Sequence, residues 1–120
     1  RRVQIEKITA VFDCGLMIDP GTVDAQISGG VVFGLSAAID GEIRFTQGAA
    51  VAKNFDSAPV LRMAQTPLIM VDLLRTAHPP GGAGEASVPG VAPALAGAIH
   101  AATGHRPRRL PLVSDGWEFT

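Results

Sequence analysis

Cysteine, tyrosine and charge are scarce in this sequence. Among 120 residues there is one cysteine, Cys14, and no tyrosine. A lone thiol excludes an internal disulfide and falls short of the thiolate set an iron–sulfur cluster needs, so any such electron carrier lies outside these residues. Charge is sparse and balanced: 10 Lys and Arg against 11 Asp and Glu leave a formal net charge of -1. That balance gives no general attraction for nucleic acid or an acidic membrane surface. Long apolar runs are also missing. The tract "VVFGLSAAI" from Val31 is well short of the roughly 20 residues a bilayer crossing requires, and no membrane span is expected in this segment. Arg1-Arg2 opens the chain without a methionine or an apolar signal segment, so any address signal is expected upstream, in a longer polypeptide.

The hydrophobic content is 47%, enough for the core of one domain over residues 1–120. "VQIEKITAVF" alternates and then turns continuously apolar, which predicts a strand over Val3–Phe12. Asp19-Pro20 is an N-cap acceptor followed by a proline whose missing N–H is not needed in a first turn, and predicts a helix from Pro20 to about Ala38. "EIRFT" and "AAVAKNF", on either side of Gln47-Gly48, predict a hairpin, and "PLIMVDLL" from Pro67 a buried strand. A second helix is expected over Pro89–Thr103, with Val91, Leu95, Ala98 and Ala102 at helical spacing and Gly104 closing it. A last strand, "RRLPL", follows. The class expected is α+β: one mixed or antiparallel sheet with two helices packed on one face.

Glycine is concentrated where chemistry could use it. The first helix holds Gly29, Gly30 and Gly34, although each costs about 1 kcal/mol relative to alanine in a helix interior. Either another element packs on this smooth face, or a polar cofactor lies against it within reach of Gln26, one turn before Gly30. The second concentration is "GGAGE", Gly81 to Glu85. Such a loop can turn its backbone N–H groups onto an anion or oxo group. It is not a P-loop, because Glu85-Ala86 stands where Lys-Ser/Thr is needed. Nor is it a dinucleotide fingerprint, because Ser87 replaces the third glycine. Glu85 has no Lys or Arg neighbour between Arg75 and Arg106. Buried, it would be pushed toward the range of a base working near neutral pH. Exposed, it would only face the N-terminal dipoles of the second helix. His78, His100 and His105 lack metal-ligand spacing, and no metal ligand is assigned. "HRPRR" from His105 reads as a solvated edge or a subunit contact. Cys14 reads as a small core residue.

Taken together, "DCGLMIDPGTVDAQISGGVVFGLSAAIDGEI", "NFDSAPVLRMAQTPLIMVDLL" and "PPGGAGEASVPGVAPALAGAIHAATGHRPRRLPL" resemble the C-terminal portion of the molybdopterin-binding domain in the large subunit of molybdenum hydroxylases. These are the xanthine dehydrogenase and aldehyde oxidase type, and the isoquinoline 1-oxidoreductase beta-subunit group is the nearest branch. The resemblance runs from about residue 3 to 117, in order. It implies that Gly82-Ala83-Gly84-Glu85 is the family's Gly-x-Gly-Glu loop, with Glu85 the active-site base, Gly82 and Gly84 beside the cofactor, and Gln26 near the pterin or its phosphate. It further implies molybdopterin with molybdenum, in a cytosine dinucleotide form, shared with upstream segments of the same subunit. Iron–sulfur clusters would lie in a partner subunit. The substrate would be a small molecule, an aldehyde or N-heteroaromatic, hydroxylated with oxygen from water. The segment by itself would be inactive. The competing expectation is a non-catalytic assembly module of the same ancestry, docking with a partner while Glu85 stays idle. Ala58 stands where the family pattern has an aromatic.

Overall fold

The first long helix begins where the sequence says it should. In the computed structural model, which describes residues 1–120, Asp19 caps α1 (Pro20–Asp40) with backbone angles of extended type. Its Oδ1 accepts from the Gly21 N–H at 3.1 Å, and its Oδ2 accepts from the Thr22 hydroxyl at 2.6 Å. At the far end the Gly41 N–H closes onto the Ala37 carbonyl at 3.2 Å. By length and composition α1 could cross a bilayer. Here its apolar row, Ile27, Val31, Leu35, Ala38 and Ile39, is buried in the protein.

The second helix, α2 (Val88–Thr103), ends at Gly104, whose φ of 74° is the left-handed cap that glycine adopts without strain. Its buried row is Val91, Leu95 and Ile99, one residue every turn. Ala98 and Ala102, expected on that face, are exposed. Val31, Leu35 and Ile39 of α1 meet Val91, Leu95 and Ile99 of α2, and Leu112 and Trp117 from the C-terminal segment complete the core.

The strands form three separate two-stranded ladders rather than one sheet. β1 (Arg2–Val3) pairs in parallel with β6 (Glu118–Phe119), and β3 (Phe45–Thr46) pairs antiparallel with β4 (Ala49–Ala50) around Gln47-Gly48. The main ladder joins β2 (Lys7–Phe12) to β5 (Leu68–Leu73), parallel, with Lys7 opposite Leu68 and Phe12 opposite Leu73. A parallel pair needs a crossover connection, and α1 is part of it. The α+β class therefore holds, with α1 against β5 and α2 packed on α1. The inner-facing Ile8, Ala10 and Ile69 meet the helical core. Val11, Leu68 and Met70 on the alternate positions are exposed.

Three sequence expectations are corrected here. The single strand Val3–Phe12 is interrupted at residues 4–6, and the hairpin is only two residues on each side. "RRLPL" forms no strand: Pro111 within it removes a ladder donor, and the chain passes into a 3-10 turn at Leu112–Asp115.

Candidate functional site

Both strands of the main parallel ladder end at the same place, and their extensions build the site. Beyond the last strand pair, the Leu74 N–H donates to the Phe12 carbonyl at 2.9 Å. Asp13 Oδ1 then accepts from the Thr76 hydroxyl at 2.8 Å and from the Gly15 N–H at 2.9 Å. The Leu16 N–H donates to the His78 carbonyl, and the Gly81 N–H donates to the Cys14 carbonyl, each at 2.8 Å. Residues 13–16 and 76–81 thus run side by side from the strand ends to the glycine loop. In open α/β sheets this carboxyl end is where ligands bind. Gly15 makes the approach possible. Its φ is 75°, and a Cβ there would lie 2.6 Å from the His78 carbonyl oxygen and overlap that of Pro79.

The loop Gly82–Glu85 leaves this zipped segment at Gly82, whose φ is 85°. Gln26, on the first half of α1, donates from Nε2 to the Gly84 carbonyl at 3.2 Å. Just beyond, the Ser87 hydroxyl donates to the Ile27 carbonyl at 3.0 Å, and α2 begins. The loop is therefore held at its start by Cys14 and at its end by Gln26 and Ile27. Between those anchors none of the amide N–H groups from Gly82 to Ala86 donates to an acceptor within the chain. An added Cβ at Gly82 or Gly84 would meet nothing within 4 Å. A shallow cavity of about 300 Å³ adjoins the loop, lined by Cys14, Leu16, Ile18, Thr22, Gly82 and Ala83.

All four residues singled out in the sequence, Gln26, Gly82, Gly84 and Glu85, fall in this one region. Glu85 has no salt-bridge partner, in keeping with the absence of basic neighbours in the sequence. Within this chain its side chain is exposed, because the loop lies on the surface. The chain itself supplies no dry pocket around the carboxylate. The helix glycines divide by role. Gly30 and Gly34 face α2, where a Cβ on Gly30 would overlap the Ser87 hydroxyl and one on Gly34 would lie 2.8 Å from the Val88 carbonyl oxygen. Gly29 faces open space. The smooth face is therefore a helix–helix contact at Gly30 and Gly34. The three histidines do not converge, and no group of His, Cys, Asp and Glu is placed to hold a metal ion.

Sequence reading missed Asp13, Gly15, Thr76 and Ser87. The Asp-Cys-Gly triplet carried a usable signal, since an Asp accepting from the backbone two residues on, with Gly after it, is a turn with a known mechanism. Thr76 and Ser87 carried none, because their partners lie 63 and 60 residues away.

The profile of the molybdopterin cofactor-binding domain matches residues 1–67. The chain is 32% identical, over 92% of its length, to the isoquinoline 1-oxidoreductase subunit beta of Brevundimonas diminuta. It is 33% identical, again over 92%, to a membrane-bound aldehyde dehydrogenase of Gluconacetobacter polyoxogenes whose name carries pyrroloquinoline-quinone. It spans only 14% of the length of each of these relatives. Among solved structures, quinoline 2-oxidoreductase from Pseudomonas putida 86 superposes with a TM-score of 0.80 at 25% identity, over 91% of this chain and 15% of that one. The chain belongs to the molybdopterin cofactor-binding domain family of the molybdenum hydroxylases.

Proposed function

We propose that the chain is the C-terminal part of the molybdopterin-binding subunit of a molybdenum hydroxylase, a single domain over residues 1–120, and that Glu85 is its general base. The observation that carries this reading is the hydrogen bond from Gln26 to Gly84, which joins the α1 glutamine to a loop of unused amide donors ending in an unpaired carboxylate.

The residues present fit an oxo- and phosphate-rich cofactor. Consecutive free N–H groups at Gly82–Ala86 offer donors to anionic oxygens, and the open space over Gly82 and Gly84 admits a close approach. Gln26 holds one edge of that loop, and its Oε1 accepts nothing within the chain. Bound there, the molybdenum cofactor supplies the redox chemistry of hydroxylating an aldehyde or N-heteroaromatic carbon with oxygen from water. Glu85 contributes a proton-accepting carboxylate that has no ion-pair partner within the chain. Dryness around it has to come from segments outside these 120 residues, in line with the 14% share of the relatives' length. The isolated segment is accordingly inactive. The isoquinoline-type resemblance supports a cytosine dinucleotide form of the cofactor, iron–sulfur clusters in a separate subunit, and docking against the remainder of its own subunit.

The test is Glu85→Gln in the assembled, metal-loaded enzyme. Loss of a positioned base lowers kcat by about 10²–10⁴-fold. Undiminished turnover with full molybdenum content would remove Glu85 from the mechanism. It would favour the assembly-module reading, which the exposure of Glu85 within this chain supports. Metal analysis of the same preparation separates a molybdenum pterin from the quinone carried in the name of one relative.

A further inference from the structure

We infer that Asp13 is a positioning residue for the glycine loop: by holding the 13–16 turn against residues 76–81, its carboxylate fixes where Gly82–Glu85 emerges. This deepens the reading of Glu85 as base and rests on it.

The inference follows from how the loop is anchored. Its start hangs on two backbone bonds to the turn, Leu16 to His78 and Gly81 to Cys14. That turn is closed by Asp13, whose Oδ1 accepts from Gly15 within it and from Thr76 on the facing segment. One oxygen therefore sets the shape of the turn and ties it to the other strand's extension. Gly15 fits against the His78 and Pro79 carbonyls without room for a side chain, so the turn has little freedom to slide. Asp13 itself is exposed, and its carboxylate bonds Gly15 and Thr76 rather than any residue of Gly82–Glu85. Its effect on Glu85 is transmitted by backbone alone. Small displacements of a reacting group carry large kinetic costs, about 10²-fold for roughly 1 Å.

The experiment compares Asp13→Ala, Asp13→Asn, Thr76→Val and Glu85→Gln in the assembled enzyme, reading kcat, KM and hydrogen–deuterium exchange at Leu16 and Gly81, the two amides that join the segments. Asp13→Ala, which removes both of the carboxylate's bonds, is expected to speed exchange at these amides about tenfold and to lower kcat by a similar factor with KM little changed. Asp13→Asn keeps an oxygen facing the same two donors, and rescues both readouts. Thr76→Val, which removes only the inter-segment bond, falls between. Glu85→Gln lowers kcat and leaves exchange as in the wild type. Wild-type exchange and kcat in Asp13→Ala overturn the inference, as does an Asp13→Asn variant as slow as Asp13→Ala with unaltered exchange. If Asp13→Ala does not fold, Thr76→Val decides, and wild-type values in both readouts overturn the inference. Full turnover in Glu85→Gln would instead overturn the base assignment, and the exchange data would still report on Asp13.

Discussion

The amide of Gln26 and the carbonyl of Gly84 meet at 3.2 Å across 58 residues of chain, and this contact ties the long helix to the Gly82–Glu85 loop. Gln26 is exposed and makes no other hydrogen bond through its side chain. Gln26→Leu should leave the unfolding free energy within about 0.5 kcal/mol, as for a surface substitution. It should nevertheless speed amide exchange at Gly81 and Val88, the hydrogen-bonded amides that flank the loop. Urea unfolding and exchange mass spectrometry on one preparation check both parts. A large loss of global stability would show that the contact supports the fold rather than the loop.

Gly29 and Gly34 make a paired test of helix packing. Replacing a helix-interior glycine by alanine gains about 1 kcal/mol of propensity. At Gly29 nothing opposes the gain, because no atom lies within 4 Å of the new Cβ. At Gly34 the new Cβ would stand 2.8 Å from both the Val88 carbonyl oxygen and a Val91 methyl, and a backbone oxygen cannot step aside cheaply. Overpacking there costs about 1–3 kcal/mol, which outweighs the propensity gain. Gly29→Ala should therefore raise the urea midpoint and Gly34→Ala should lower it.

Acid sensitivity has named sources. The Gly15 N–H and the Thr76 hydroxyl hold the Asp13 carboxyl below its ordinary 3.8. The Thr22 hydroxyl, with N–H groups at the start of α1, does the same for Asp19. The Arg44 guanidinium, 2.8 Å from Glu42, holds that carboxyl below 4.5. A carboxyl whose pKa is depressed in the folded state contributes stability that is present above its unfolded value and lost as pH falls through the folded one. The urea midpoint should therefore be flat from neutral pH to about 5, then fall below the ordinary carboxyl values. All three groups are exposed, so the decline should be shallow and weaker in high salt. Asp19→Asn should flatten it in part. An unchanged slope in that variant would remove Asp19 as a source.

Much of this was legible because the signals were local. Asp19-Pro20 and Gly104 act within a few residues of themselves, and the helices begin and end close to where they point. The glycine loop was legible for the same reason: "GGAGE" needs no distant partner to be recognised as a donor-rich turn. Strand pairing was not, because alternation says which face a strand buries and nothing about its neighbour. The parallel register of Ile8 with Ile69 depends on a crossover of some 60 residues. The surroundings of Glu85 were not legible for a related reason. Uncharged neighbours in sequence suggest a dry site, while burial depends on what packs over the loop, and these 120 residues do not cover it.

The C-terminal segment offers the sharpest contrast between sequence reading and structure. "RRLPL" suggests a strand in which Leu110 and Leu112 share a face, two residues apart. Instead Pro111 separates a half-exposed Leu110 from a Leu112 with 0% exposure, packed with Trp117 against both helices. Leu112 is fully buried in the cluster that both helices and Trp117 form. Leu112→Ala should therefore cost about 2–5 kcal/mol, the range for a large-to-small change in a packed core. Leu110→Ala, on a surface 54% exposed, should cost less than about 1 kcal/mol. Urea unfolding of the two variants side by side checks the assignment. Equal costs would mean that both leucines face the same way, as a strand requires, and that the 3-10 turn at Leu112–Asp115 is wrong.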